Sequence, residues 1–154
     1  MRIAVLAIGK LGRSPEAELV KLYAERATAA GRSLSLGPVE VVEVEARKPG
    51  KAAEALSLRP HLEGAHVIAC DEHGQARASR AFAAEIAALR DQGVRKLAFL
   101  VGGADGLDPE LLAQANGKLA FGPQTWPHAL ARAMLAEQLY RAVSILAGSP
   151  YHRD

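Results

Sequence analysis

The chain has 154 residues, of which 49% are hydrophobic and 23% charged, and its formal net charge at pH 7 is +2. These values argue against a disordered or fibrous protein and predict a single domain over residues 1–154. The weak positive charge permits an RNA partner without requiring one, because a GC-rich coding bias also enriches arginine. No apolar run reaches membrane-spanning length, no signal peptide is recognisable, and Cys70 is the only cysteine. We therefore expect a cytoplasmic protein without disulfide bonds.

Strand and helix patterns alternate along the whole chain. The predicted strands cover residues 2–8, 39–44, 66–70, 96–101 and 118–121, and the predicted helices cover residues 14–30, 51–62, 79–91, a short segment from 108, and 127–147. Ser14 and Pro15 are typical of a helix start, and Gly31 is typical of a helix end. This alternation predicts an α/β fold with a mostly parallel sheet and helices on both faces.

Three loops of this fold are candidates for a ligand site, because ligands of parallel sheets bind beyond the carboxyl ends of the strands. The loops follow Cys70, Val101 and Ala120. The second of them begins Gly102-Gly103-Ala104-Asp105-Gly106, which has neither the dinucleotide spacing nor the lysine of a phosphate-binding loop. It is either a ligand-binding loop, in which glycines let backbone amides approach closely, or a tight turn without a ligand.

Two other groups of residues have both a functional and a structural interpretation. His66, Cys70 and His73 are of metal-ligand types, but a fourth ligand is missing, so we expect no metal site. The stretch Arg47-Lys48-Pro49-Gly50-Lys51 is a basic loop. It is either a solvated turn, which is the usual role of such a stretch, or a phosphate contact.

The last predicted helix is polar along one narrow face only. Glu137, Gln138, Arg141 and Ser144 share that face, and nearly every other position is apolar. One side of a small sheet does not cover so wide an apolar arc, so we expect a second copy of the chain to cover the rest in a homodimer. The alternative is a fully internal helix in a monomer.

The residues after Pro150 carry reactive side chains at a position where most chains are frayed. They are Tyr151, His152, Arg153 and Asp154. The apolar helix before them must be buried, and it therefore holds this tail close to the body of the protein. The tail is a candidate part of an active site.

Several short segments match a known family in order and spacing. They are Ile8-Gly9-Lys10-Leu11, Gly102-Gly103-x-x-Gly106-Leu107, Pro127-His128-x-Leu130-x-Arg132, Glu137-x-Leu139-Tyr140-Arg141-Ala142 and Pro150-Tyr151-His152-Arg153. No single segment is specific, but the combination resembles the bacterial ribosomal RNA large-subunit methyltransferase H family. The similarity runs from Ile3 to the last residue.

This resemblance implies a small methyltransferase of the SPOUT class, an α/β fold with a C-terminal trefoil knot. It implies methylation of N3 of a pseudouridine in 23S rRNA, with S-adenosylmethionine as methyl donor and the assembled ribosome as substrate. It also implies a homodimer, which agrees with the expectation from the last helix, and no metal.

The resemblance assigns the cofactor site to the same three loops that follow the strands. The residues it implies there are Cys70, Gly102, Gly103, Phe121, Gly122, Pro123, Gln124, Thr125 and Trp126. The chain departs from the family pattern at two places. Trp126 stands where a smaller apolar residue is usual, and Gly148-Ser149 stand where Asn-His is common.

For the catalytic residues we consider the tail. His152 is the candidate general base, since histidine exchanges protons readily near neutral pH. Arg153 would stabilise the developing anion or bind a phosphate, and Tyr151 would stack on the substrate nucleobase or form a hydrogen bond with it. The alternative function is a non-catalytic ribosome-associated or nucleotide-binding protein of the same fold.

Overall fold

Five strands form one parallel sheet in the computed structural model, which describes Met1–Asp154. They are β1 (Arg2–Ile8), β2 (Val39–Val44), β3 (His66–Ala76), β4 (Lys96–Val101) and β5 (Gly117–Ala120). Their order is β2-β1-β4-β3-β5, and every neighbouring pair is parallel. The prediction of an α/β fold with a parallel sheet is therefore confirmed.

Helices cover both faces of this sheet. They are α1 (Pro15–Gly31), α2 (Lys51–Leu58), α3 (Ser79–Asp91), α4 (Pro109–Gln114) and α5 (His128–Leu146). Alternate residues of each strand point to opposite faces, so β4 places Phe99 in the core under α1, α3 and α5. It places Leu100 in the separate core under α2 and α4. Each helix thus buries its apolar side against one face only.

The helix starts follow from local chemistry. Ser14 caps α1, because its Oγ accepts a hydrogen bond from the backbone amide of Ala17 at 3.1 Å. Asp108 caps α4 in the same way, and its Oδ1 accepts from the amide of Glu110 at 3.0 Å. A proline follows each cap, where a missing N–H has no consequence.

The observed elements differ from the predicted ones at a few ends. The helix expected over 51–62 ends at Leu58 and continues as a 3-10 turn, Arg59–His61. Pro60 explains this, because it has no N–H to donate and its ring crowds the preceding turn. The last strand lies one residue earlier than expected, and α5 is one residue shorter at each end. The largest difference is in β3, which does not end at Cys70 but reaches Ala76.

The extension of β3 contains a distortion. Both Cys70 and Gln75 pair with Leu119 of β5, so the residues between them leave the ladder. Gly74 lets the two strands come together again, since a Cβ there would lie 2.8 Å from the backbone of Leu119. Asp71, Glu72 and His73 are therefore displaced from the sheet at its carboxyl end.

Helix α5 packs against α1, α3 and β4. Its buried apolar residues include Leu135, Leu139 and Val143. Ser144, expected on the polar face, is also buried and donates to the carbonyl oxygen of Tyr140 at 2.8 Å. Most of the apolar arc is thus covered inside one chain and does not itself require a second copy. No helix combines the length and apolar character that crossing a membrane would require.

Candidate active site

A cavity of about 800 Å³ opens at the carboxyl edge of the sheet. The distorted part of β3, the ends of β4 and β5 with the loops after them, and the start of α5 line it. Two of these segments are the loops predicted after Val101 and Ala120, whereas the segment after Cys70, predicted as a loop, is the distorted part of β3. The residues predicted for the cofactor that line the cavity are Cys70, Gly102, Gly103, Phe121, Gly122, Gln124, Thr125 and Trp126. Pro123 belongs to the same loop but is not among the lining residues.

The glycine loop after β4 closes on itself. The amide of Gly106 donates to the carbonyl oxygen of Gly103 at 3.0 Å. A Cβ on Gly102 would lie 2.7 Å from the carbonyl carbon of Gly106 and 3.0 Å from the amide nitrogen of Leu107. Only glycine fits this close approach of two backbone segments. The loop is therefore a tight turn and, at the same time, one wall of the cavity.

The loop after β5 is closed by Trp126. Its indole Nε1 donates to the carbonyl oxygen of Phe121 at 3.0 Å. Thr125 makes a weaker contact from its Oγ1 to Glu72 Oε2 at 3.4 Å, which joins this loop to the distorted part of β3. Trp126 thus holds its own loop together.

The cavity has an acidic side that sequence reasoning did not single out. Asp71, Glu72 and Asp105 line it together with His73. The amide of His73 donates to Asp71 Oδ2 at 3.1 Å. In the sequence, the charged run directly after the apolar start of β3 was the signal that could have indicated these residues. Carboxylates around a cavity favour a ligand with positive charge.

No cluster of three or more His, Cys, Asp or Glu side chains is arranged to hold a metal ion. Cys70 lines the cavity, but burial raises the pKa of its thiol to about 12. The thiol is therefore protonated at neutral pH, and Cys70 contributes packing and shape rather than a nucleophile or a metal ligand.

The tail packs on the middle of α5 and does not line the cavity of its own chain. Tyr151 Oη donates to Glu137 Oε1 at 2.9 Å, and the ring centroids of Tyr151 and Tyr140 are 4.5 Å apart. The guanidinium carbon of Arg141 lies 4.8 Å from the Tyr151 ring centroid. Burial and the hydrogen bond to Glu137 raise the pKa of Tyr151, so it remains a neutral phenol.

His152 is held between two charged groups. Arg141 Nη1 lies 3.2 Å from its Nδ1, and Asp154 Oδ1 lies 3.1 Å from its Nε2. A guanidinium only donates, so Nδ1 accepts and Nε2 carries the proton in this arrangement. Arg80, in the first turn of α3, binds the Asp154 carboxylate at 2.6 and 2.7 Å. Arg153 is exposed and makes no hydrogen bond or ion pair within the chain.

Comparison with known proteins gives the family. The family described as Predicted SPOUT methyltransferase matches residues 1–152. Three relatives are each named ribosomal RNA large subunit methyltransferase H. The protein from Phenylobacterium zucineum is 82% identical over 154 residues, and both chains are covered completely. A Caulobacter protein is 73% identical with the same coverage, and one from Dinoroseobacter shibae is 54% identical over 99% of both chains.

Solved structures show the same fold at low identity. A probable methylase family protein from Haemophilus influenzae has a TM-score of 0.60 at 14% identity, covering 99% of this chain and 70% of its own. A probable methyltransferase from Bordetella pertussis has a TM-score of 0.57 at 17% identity, covering 92% and 96%. The resemblance seen in the sequence is thus confirmed, and the chain belongs to the ribosomal RNA large subunit methyltransferase H family of SPOUT methyltransferases.

Proposed function

We propose that this methyltransferase uses S-adenosylmethionine to methylate N3 of a pseudouridine in 23S rRNA of assembled ribosomes. The observation that carries the proposal is the cavity where the distorted part of β3 meets the loops after β4 and β5. The names of relatives that share 82% and 73% of their residues with this chain support a ribosomal RNA substrate. The tail, with its imidazole and free guanidinium, supplies groups that a nucleobase substrate needs.

The cavity fits the cofactor in size and in chemistry. Its volume of about 800 Å³ is within the usual range for small-molecule sites. The Gly102 turn brings backbone close to the ligand space, and carboxylates of Asp71, Glu72 and Asp105 suit a ligand with a sulfonium and an ammonium group. When bound, S-adenosylmethionine supplies an electrophilic methyl group. The loops that line the cavity would align that group with the attacking nitrogen.

The substrate nitrogen must lose its proton as the N–C bond forms. We assign the general base to His152, with Arg153 stabilising the negative charge on the flanking carbonyl oxygens. In the observed arrangement Arg141 occupies the accepting nitrogen of His152, so His152 acts as a base only after Arg141 releases it. Tyr151, already packed against Tyr140 and Arg141, orients the tail. A His152→Ala enzyme that methylates ribosomes at the unchanged rate would remove the base assignment.

A homodimer is part of this proposal. The exposed large apolar residues include Leu19 and Leu22 of α1, Leu130 of α5, and Trp126 before α5. Since α1 and α5 pack side by side, we assign these residues to one shared face of the proposed dimer. Leu130 lies on the same side of α5 as Glu137, which accepts the hydrogen bond from Tyr151 of the tail, because seven residues make about two helical turns. A two-fold axis through this face would bring the tail of one subunit toward the cavity of the other.

We also infer a C-terminal trefoil knot within a single domain of residues 1–154, and action in the cytoplasm. Deep knots are exceptional, so this inference rests on the family. The topology supports it, because β5 lies at the edge of the sheet while α5 lies against α1, α3 and the central strand β4. The chain after β5 must therefore cross back over β3.

The decisive experiment is mass spectrometry of 23S rRNA from cells without the gene. We expect the loss of one methyl group from one pseudouridine and its return when the gene is restored. An unchanged methylation pattern would contradict the proposal. Calorimetric titration with S-adenosylhomocysteine separates the alternative, because a non-catalytic ribosome-associated protein of this fold would bind little or none of it.

A further inference from the structure

The cavity has a basic rim as well as an acidic side. Lys51, the first residue of α2, lines the cavity, and the loop before it contains Arg47 and Lys48. All three side chains are exposed. A polyanion near the cavity is repelled by Asp71 and Glu72 and attracted by this rim.

The basic rim has no carboxylate partner within the chain. Arg47, Lys48 and Lys51 make no ion pair and no side-chain hydrogen bond within the chain. Glu45, the nearest acidic residue before them, pairs with Lys10 at 3.6 Å instead. The positive charge of the rim is therefore available to a ligand.

Helix α2 does not gain from the charge of Lys51. A cation in the first turn of a helix is unfavourable, because the helix dipole is positive there, and Lys51 occupies that turn of α2. Gly50, with φ of +106°, is the residue before it and offers no capping side chain. A bound anion would offset the unfavourable interaction between Lys51 and the helix dipole.

The rim is also accessible in the proposed dimer. Its loop follows β2, and α2 packs on the face of the sheet opposite α1 and α5. The loop after β1 lies next to it, since Ile8 pairs with Val44 at the ends of the two strands. That loop is fixed by a hydrogen bond from the amide of Leu11 to Glu43 Oε2 at 2.7 Å.

We propose that Arg47 and Lys48 bind RNA phosphates beside the nucleotide that enters the cavity, with Lys51 at the boundary between the two sites. This inference rests on the proposed function, because it names the surface through which the same site receives its RNA. Phosphate contacts of this kind fix the position of the RNA and carry no sequence information.

The test compares two variants that each lose two positive charges. Arg47→Gln/Lys48→Gln removes them from the rim. Arg32→Gln/Arg95→Gln removes them from exposed positions at the opposite, amino-terminal edge of the sheet. The probe is the intact ribosome purified from cells that lack this methyltransferase. Affinity for it is measured over a series of salt concentrations, together with calorimetric affinity for S-adenosylhomocysteine and the methylation rate.

We expect the rim variant to bind ribosomes roughly tenfold more weakly and to lose about 1.5 to 2 from the slope of log affinity against log salt. The control variant keeps the wild-type slope, and both keep the affinity for S-adenosylhomocysteine. A rim variant with wild-type affinity and slope, or a control that loses as much, overturns the inference. Wild-type protein that binds ribosomes with this rim-dependent slope but never methylates them refutes the proposed reaction and leaves the phosphate contact standing.

Discussion

At the scale of single residues, the cavity depends most directly on Gly102. Replacing it with alanine would put a Cβ 2.7 Å from the carbonyl carbon of Gly106, so the backbone of the loop must move. We expect Gly102→Ala to weaken calorimetric binding of S-adenosylhomocysteine at least tenfold, on the order of the 1–3 kcal/mol typical of overpacking. Gly117→Ala is the matched control, because its Cβ would meet only Ile68 at 3.8 Å. Wild-type affinity in Gly102→Ala would show that this turn does not shape the cofactor site.

A second prediction at this scale concerns the anchor of the tail. The hydrogen bond from Arg80 holds the pKa of Asp154 at about 2, below its usual value of 3.8. A depressed pKa means that the Arg80–Asp154 contact contributes fully above about pH 4 and is lost as the pH falls through about 2. Carboxyl chemical shifts in an NMR titration should show this low midpoint in the wild type and a higher one in Arg80→Gln. Arg95→Gln should not move it, and equal midpoints in all three proteins would argue against the contact in solution.

Among the elements, α5 is joined to the carboxyl edge by a buried arginine. Arg132 donates from Nη1 to Glu43 Oε2 at 2.8 Å, and from Nη2 to the carbonyl oxygens of Ile8 and Gly9 at 3.0 and 3.2 Å. Its Nε has no partner, and burial lowers the pKa of the guanidinium. This one side chain therefore fixes the loops after β1 and β2 to the helix that begins at the cavity.

We expect Arg132→Met to lower the free energy of unfolding by about 3 kcal/mol, because it removes the guanidinium donor from two carbonyl groups and leaves the Glu43 carboxylate with only the Leu11 amide. Because Glu43 is partly exposed, we expect a loss at the low end of the range found when a buried ion pair is broken. Urea unfolding at one fixed protein concentration measures it. Arg95→Met, at an exposed site, should change stability by less than about 0.5 kcal/mol. A loss below about 1 kcal/mol in Arg132→Met would mean that water replaces the missing donor.

How far sequence predicts these elements depends on whether their ends are set locally. The bounds of β1, β2, β4 and α3 were predicted correctly, because apolar runs and adjacent turn residues determine them. The return of β3 to the ladder after Cys70 was missed. It depends on pairing with Leu119, far away in the chain, and on a glycine whose role appears only when β5 is in place. The same distortion brings Asp71 and Glu72 to the cavity, so this part of the site was missed for the same reason.

For the molecule as a whole, the position of the cavity was predictable and the position of the tail was not. Any parallel sheet of this order presents its strand ends at one edge, and the glycines after β4 marked the loop concerned. The tail position instead follows from side chains that meet only when α3 and α5 are packed, such as Arg80 with Asp154. Within one chain the tail and the cavity remain separate, which makes the subunit arrangement the central question about the reaction.

Mixed dimers answer that question. We combine Gly102→Ala chains, with a defective cavity, and His152→Ala chains, with a defective tail, each of which should methylate ribosomes poorly alone. If the tail of one subunit serves the cavity of its partner, a mixed dimer has one intact site. Random assortment then restores about a quarter of wild-type activity. If each tail serves its own cavity, no mixed dimer has an intact site and the mixture remains inactive.

The proposed dimer face provides the control. Leu130→Glu, added to both chains, places a carboxylate on the proposed interface and should abolish the rescue, with monomers in sedimentation velocity. Leu56→Glu alters a leucine that is 69% exposed on α2, away from that face, and should leave rescue and dimer intact. Loss of rescue in both the Leu130→Glu and the Leu56→Glu mixtures would indicate general damage to the fold. Rescue that survives Leu130→Glu would place the interface elsewhere. The two substitutions therefore test the interface separately from the origin of the tail. Sedimentation velocity measures the interface without enzyme activity, whereas the origin of the tail is read from the rescue of activity.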